Sequence, residues 1–177
     1  MVTKLLTKPE KWILWGILVL SLVGSAFHFI YELSGNNVLI GIISPINESV
    51  WEHNKLVLWP MVTWWTVYFI VMSKKRSLNP HVWFTALLGA VTSSMVFMVS
   101  FFYTYSGALG VENLLVDIVV FFLSIIVGQM VGLWLYRRGK RIHFLISFGV
   151  IMVLLAVFTL FTFVHPNLPI FIPHHTK

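Results

Sequence analysis

The sequence predicts an all-α fold, a polytopic membrane protein built as a bundle of five transmembrane helices within one domain, residues 1–177. The first observation is composition: 58% of the residues are hydrophobic and 10% are charged, whereas soluble chains are about a quarter charged. The second is a set of five apolar stretches, each close to the length of about 20 residues that a helix needs to cross a bilayer. The third is the clustering of basic residues beside those stretches, which is typical of membrane topology and not of nucleic-acid binding.

Taken in order, the apolar stretches predict spans at roughly 12–32, 45–73, 81–105, 112–136 and 142–164. The first stretch is longer than the apolar core of a signal peptide, so we interpret it as a span. Basic residues precede the first span and follow the second and the fourth: Lys4, Lys8, Lys11, Lys74, Lys75, Arg76, Arg137, Arg138, Lys140 and Arg141. The loops 33–53 and 106–111 contain no Lys or Arg. The positive-inside rule therefore predicts a multi-pass protein of the cell membrane, with the N-terminus in the cytoplasm and the C-terminus outside.

The connection between the first two spans has features of its own. Residues 34–37 read Ser-Gly-Asn-Asn, a turn signal. The apolar run 38–43 is too short to cross the membrane, so we expect a short re-entrant or interfacial element there. Ser44 and Pro45 then offer an N-cap and a first helical residue. This pattern predicts that the second helix begins at residue 45 and is kinked at Pro60.

Ionisable groups from several helices reach the outer membrane boundary. A helical residue 20 or 21 positions from a cytoplasmic basic cluster lies roughly 30 Å from it, about the thickness of the hydrocarbon. The residues at that level are Glu32, His53 and Asp117, with His28 one turn deeper. Because ionisable groups at a membrane are costly, such a shared level predicts a functional pocket on the extracytoplasmic side.

The chain contains no cysteine, so a metal would need His, Asp or Glu ligands. The candidate metal ligands are His28, His53, Asp117 and Glu32, and zinc is the candidate metal. The candidate catalytic residues are Glu48, Glu52 and Ser49. One of the two glutamate carboxylates would serve as general base.

Each of these residues also has a structural interpretation. Glu48, Glu52 and Lys55 have the spacing of a solvated salt-bridge ladder at a helix start. Asp117 interrupts the apolar run Leu-Val-Asp-Ile-Val-Val and therefore needs a buried partner. The tail histidines His165, His174 and His175 lie in a proline-broken tail and are not assigned to the metal site.

The string Ser-Pro-Ile-Asn-Glu-Ser-Val-Trp-Glu-His at 44–53 resembles the signature of an uncharacterised, domain-of-unknown-function family of small bacterial polytopic membrane proteins. Further matching elements are Phe27-His28-Phe29, Gly35-Asn36, Tyr103-Thr-Tyr-Ser-Gly107, Gly110 and Asp117-Ile118. The resemblance covers most of the chain, departs after Phe171, and implies no activity.

A weaker similarity is to membrane-embedded zinc hydrolases of the alkaline-ceramidase and adiponectin-receptor type. Ser49-Val-Trp-Glu-His53 matches their Ser-x-x-x-His, and Asp117 corresponds to an Asp on another helix. The late His-x-x-x-His of those seven-helix proteins has no counterpart here. The analogy implies zinc and hydrolysis.

Three functions fit these patterns. The first is a metal-dependent membrane hydrolase acting on a lipid or lipid-linked substrate. The second is a small transporter or ion or proton pathway, which with five helices would need to form a homo-oligomer. The third is a non-catalytic membrane assembly or partner protein. A haem-binding bundle that uses His28, His53 or His165 is a further alternative.

Overall fold

The computed structural model describes residues 6–73 and 78–173, and these residues form helices and connecting loops. The helices, in chain order, are α1 (Lys8–Leu33), α2 (Val38–Gly41), α3 (Val50–His53), α4 (Lys55–Ser73), α5 (Pro80–Leu109), α6 (Leu114–Arg138) and α7 (Phe144–Phe163), followed by a 3-10 turn at Pro169–Phe171. The predicted basic cluster Lys74, Lys75 and Arg76 and the tail residues His174 and His175 lie outside the described residues.

The predicted fold class is confirmed. Within the described residues, five helical segments are long and apolar enough to cross a membrane: α1, the α3–α4 segment, α5, α6 and α7. Large apolar side chains are exposed on the outside of the bundle, and examples are Leu22, Val96, Leu115 and Val153. Such a surface would be a liability in water but is the expected surface in hydrocarbon.

Helix α5 lies at the centre of the bundle, where it packs against α4, α6 and α7, while α1 packs against α4 and α6. Helices α5 and α6 are the most closely packed pair. Their backbones approach at Gly128, where a Cβ atom would lie 2.7 Å from the carbonyl oxygen of Ala90. Ser94 donates a hydrogen bond across the pair to the carbonyl of Ser124, 2.8 Å away. Small residues therefore set the spacing of this pair, as in many membrane bundles.

The two ends of the bundle differ in charge. At one end Arg137 donates to the carboxylate of Glu10 over 2.6 Å, which joins the end of α6 to the start of α1. The described residues of the basic clusters lie at this end. At the opposite end, α1 finishes and α3 begins, and Thr162 of α7 reaches Glu52 there.

The connection between α1 and α3 differs in part from the prediction. A short element is present as α2, but helical structure resumes at Val50 and not at residue 45. Ser44 does not cap a helix, because its hydroxyl donates to the carbonyl of Phe27, 2.5 Å away. The cap is Ser49, whose hydroxyl accepts from the backbone N–H of Glu52. Residues 42–49 are thus a loop folded against α1.

Pro60, where a kink is predicted, lies inside α4, and the helix continues through it. The span is interrupted at Asn54, between α3 and α4. There the Asn54 side chain donates to the carbonyl of Val50 over 2.8 Å. The turn keeps α3 and α4 together as one membrane-length segment.

Candidate metal centre

Three side chains that could ligate a metal ion converge at the end of the bundle opposite the Glu10–Arg137 pair: His28 of α1, Glu48 of the loop and His53 of α3. The two imidazole Nε2 atoms are 3.3 Å apart. Glu48 Oε2 lies 3.3 Å from Nε2 of His53 and 3.6 Å from Nε2 of His28. All three side chains are partly exposed, so the cluster opens to the outside of the protein.

These separations fit a tetrahedral metal ion. Zinc binds nitrogen and oxygen ligands at about 2.0–2.2 Å, so tetrahedral geometry separates two ligand atoms by about 3.3–3.6 Å. The three distances in the cluster fall in that range. Two histidines, one carboxylate and an open fourth position form the ligand set of a catalytic zinc site.

The hydrogen bonding of His53 prepares its ring for metal binding. Its Nδ1 atom lies 2.9 Å from the carbonyl oxygen of Ser49, which can only accept a hydrogen bond. The proton is therefore on Nδ1, and in the neutral ring Nε2 carries a free lone pair directed to the cluster. A backbone carbonyl that fixes the tautomer in this way is common behind metal-binding histidines.

The electrostatics of the cluster favour an ionised carboxylate. Hydrogen bonds from His28, and from His53 when its Nε2 carries a proton, hold the pKa of Glu48 well below its usual range, and they outweigh the opposing effect of burial. Glu48 therefore carries its negative charge at physiological pH. A negative ligand beside two imidazoles suits a divalent cation.

A cavity lies beside the cluster, between the α3–α4 segment, α5 and α6, and it encloses about 660 Å³ including its open mouth. The polar part of its lining consists of Glu48, His53, Glu112 and Asp117. Its remaining lining is apolar and comes from Val50, Leu56, Met98, Phe102, Leu114, Val120 and Phe121.

Asp117 has the polar partner that its apolar surroundings require. The hydroxyl of Tyr105 donates to Asp117 Oδ1 over 2.5 Å, across the α5–α6 hairpin. Asp117 also acts electrostatically on His53, on the other side of the cavity. The carboxylate is thus held by a neighbouring helix while it lines the cavity beside the His28–Glu48–His53 cluster.

The structure separates the remaining sequence-predicted residues from the cluster. Glu32 is exposed one turn beyond His28 and is not one of the three converging side chains. Glu52 is 2% exposed and forms a buried ion pair with Lys55, 2.7 Å away. Ser49 is buried and contributes its cap and its carbonyl. The helical ladder considered for Glu48, Glu52 and Lys55 is not formed, because Glu48 precedes the helix.

Sequence reasoning missed Tyr105 and Glu112 as parts of the site. A signal for Tyr105 was available in the hairpin register. Tyr105 lies four residues before the end of α5 and Asp117 three residues after the start of α6, so the two face each other across the turn. Helix α5 is capped by Gly110, whose φ of +65° is the left-handed conformation of many helix C-termini.

Comparison with known families supports the sequence resemblance. The sequence model of a family of unknown function (DUF6512) matches residues 1–176, which confirms the similarity to an uncharacterised family. No curated protein and no solved structure shows significant similarity to the chain.

Proposed function

We propose that this chain, which belongs to the DUF6512 family of unknown function, is a metal-dependent membrane hydrolase that acts on a lipid or lipid-linked substrate. The observation that supports this most strongly is the tetrahedral spacing of His28, Glu48 and His53 next to an apolar cavity. In this proposal the three side chains hold a zinc ion and leave one coordination position for water. Bound zinc lowers the pKa of such a water to about 7, which supplies a nucleophile at neutral pH.

Asp117 is the residue to which we assign proton transfer. Glu48 is used as a ligand and Glu52 is used in the buried ion pair, whereas Asp117 faces the cavity. Hydrolysis of an ester or amide adds the hydroxyl of water to the acyl carbon and a proton to the leaving oxygen or nitrogen. Asp117 would take that proton from the water and return it to the leaving group.

The lining of the cavity supports an amphiphilic substrate. Its apolar floor, which includes Met98, Phe102 and Phe121, would accept an acyl chain. Among the described residues no Lys or Arg lines the cavity, and carboxylates are part of its lining. A neutral or cationic head group is therefore favoured over a phosphate, which these carboxylates would repel.

The membrane side of the site follows from the charge distribution. The site lies at the end of the bundle opposite the Glu10–Arg137 pair and the described basic residues. By the positive-inside rule the basic end faces the cytoplasm. We therefore propose that the site opens to the extracytoplasmic leaflet of the cell membrane.

Metal content of the detergent-purified protein tests the proposal. We expect about one zinc per chain in the wild type and a loss of that zinc in His28→Ala and His53→Ala, because two of three ligands are then too few. His143→Ala is the matched control, since His143 is an exposed histidine at the opposite end. A wild type that binds no zinc under non-chelating conditions contradicts the proposal.

Substitution of Asp117 separates metal binding from catalysis. Asp117→Asn should keep the zinc. Its rate of hydrolysis of a long-chain acyl ester in mixed micelles should fall by about 100-fold or more. Proton flux in liposomes that disappears in Asp117→Asn, together with a metal-free wild type, would instead favour the proton-pathway alternative.

A further inference from the structure

We infer that the buried Glu52–Lys55 ion pair and the Ser44 hydroxyl together fix the loop 42–49 and thereby place Glu48 in the proposed metal site. The inference rests on the proposed metal site. It gives a role to two charged residues that the proposed chemistry does not use.

The ammonium group of Lys55 is directed to the loop. It is fully buried, and its Nζ atom donates to the carbonyl oxygens of Gly41, at 2.7 Å, and Ser44, at 3.4 Å. Its third bond is to Glu52 Oε2, at 2.7 Å. An ammonium group has three protons, so two of its three bonds hold the backbone at the start of this loop.

The carboxylate of Glu52 holds the same loop from the other side. Its Oε2 atom accepts from the backbone N–H of Ile46 at 3.0 Å. Its Oε1 atom accepts from the hydroxyl of Thr162 on α7 at 3.4 Å. The ion pair therefore binds three backbone groups between residues 41 and 46, just before Glu48, and anchors them to the bundle.

A further bond links this loop to the other ligands. Ser44 donates through its hydroxyl to the carbonyl of Phe27, the residue that precedes His28. Glu52 directly precedes His53 in α3. The segments that carry all three proposed ligands are thus tied together by Ser44, Glu52 and Lys55.

Stability alone does not account for such a pair. Burying two charges is costly, and apolar residues of similar shape often replace buried ion pairs without loss of stability. A loop without regular secondary structure, however, needs specific bonds to hold a ligand within about 0.5 Å of its productive position. Loss of such supporting groups typically lowers metal affinity by about 10–100-fold.

The test is zinc affinity, measured on the full-length protein in detergent by competition with a chelating dye. The double variant Glu52→Gln/Lys55→Met removes both charges and leaves no unpaired one. We expect it to keep the helical circular dichroism and to bind zinc about 10–100-fold more weakly. The matched control Glu10→Gln/Arg137→Met neutralises the ion pair at the opposite end and should bind zinc like the wild type.

Ser44→Ala is the second variant and leaves the ion pair intact, so it applies if the double variant does not fold. It should also bind zinc more weakly, since it frees the loop from α1. The inference is overturned if a folded double variant binds zinc as tightly as the wild type. If the double variant does not fold, the same result in Ser44→Ala overturns it.

Hydrogen exchange distinguishes this inference from the proposed function. Amides of residues 42–49 should exchange faster in the double variant than in the opposite-end control, with or without zinc. If only Ser44→Ala folds, the same comparison is made with that variant. If the wild type binds no zinc, the proposed function fails, and unchanged exchange of this loop would then reject the positioning role as well.

Discussion

At the residue scale, two glutamates four positions apart have different surroundings. Glu48 lies in a loop at the protein surface, with its carboxylate between His28 and His53. Glu52 lies in α3, nearly inaccessible to solvent, and is bound by Lys55. Both side chains carry the same charge, and nothing in the sequence pattern distinguishes one from the other. The difference comes from the backbone, since Glu48 precedes the helix cap at Ser49 and Glu52 follows it.

The same residues predict how metal binding depends on pH. Zinc binds the deprotonated forms of its ligands, so affinity should fall as the pH is lowered and protons compete for the ligand atoms, by up to about 10-fold per pH unit for each competing proton. Glu48 should not contribute to this competition near neutral pH, because hydrogen bonding with His28 and His53 holds its pKa below the usual range. Above that lowered pKa the carboxylate is already ionised in the folded protein.

The measurement is zinc affinity from pH 5.5 to 7.5, with the released protons counted by calorimetry in buffers of different ionisation heat. At pH 5.5, well below the pKa of about 7 of a zinc-bound water, at most two protons should be released per zinc. A release of three protons at that pH, or an affinity that does not change with pH, contradicts the assigned ligand set.

At the scale of elements, the α5–α6 hairpin supports one wall of the cavity, with Tyr105 on α5 and Asp117 on α6. Its close packing depends on Gly128. We predict that Gly128→Ala lowers stability by about 1–3 kcal/mol, because the added methyl group would overlap Ser94 and the Ala90 carbonyl.

Thermal unfolding in detergent, followed by circular dichroism, measures this effect. Gly149→Ala is the matched control, as a Cβ atom at Gly149 meets nothing within 4 Å. That substitution should leave the unfolding midpoint unchanged or raise it, since alanine favours a helix over glycine by up to about 1 kcal/mol. Equal midpoints for the two variants would show that the close packing at Gly128 is not needed.

At the scale of the whole molecule, the orientation in the membrane can be tested directly because the chain has no cysteine. The test uses single cysteines at Val111, in the loop between α5 and α6, and at Lys140, between α6 and α7. These two positions lie at opposite ends of the bundle. A membrane-impermeant thiol reagent should label Val111→Cys in intact cells. It should label Lys140→Cys only after permeabilisation, and the reverse pattern would contradict the proposed topology.

The sequence predicted much of the molecule at this scale and less of the site. Five membrane-length helices and an all-α fold follow from the length and apolarity of each stretch. Counting residues along each helix from its basic cluster also placed His28, His53 and Asp117 at one end of the bundle. The counting assumed helical structure from residue 45, however, and that assumption placed Glu48 and Glu52 on one helical face.

By itself, the sequence determined the fold class, the number of membrane-length helices and the end of the bundle that carries the ionisable groups, because hydropathy and helical rise are properties of consecutive residues. Only the tertiary structure decided which carboxylate joins His28 and His53. The loop 42–49 is not helical, and its course is set by Ser44, Glu52 and Lys55 through bonds to distant residues. Bonds of that kind leave no periodic pattern in a sequence, so the position of Glu48 could not be read from spacing.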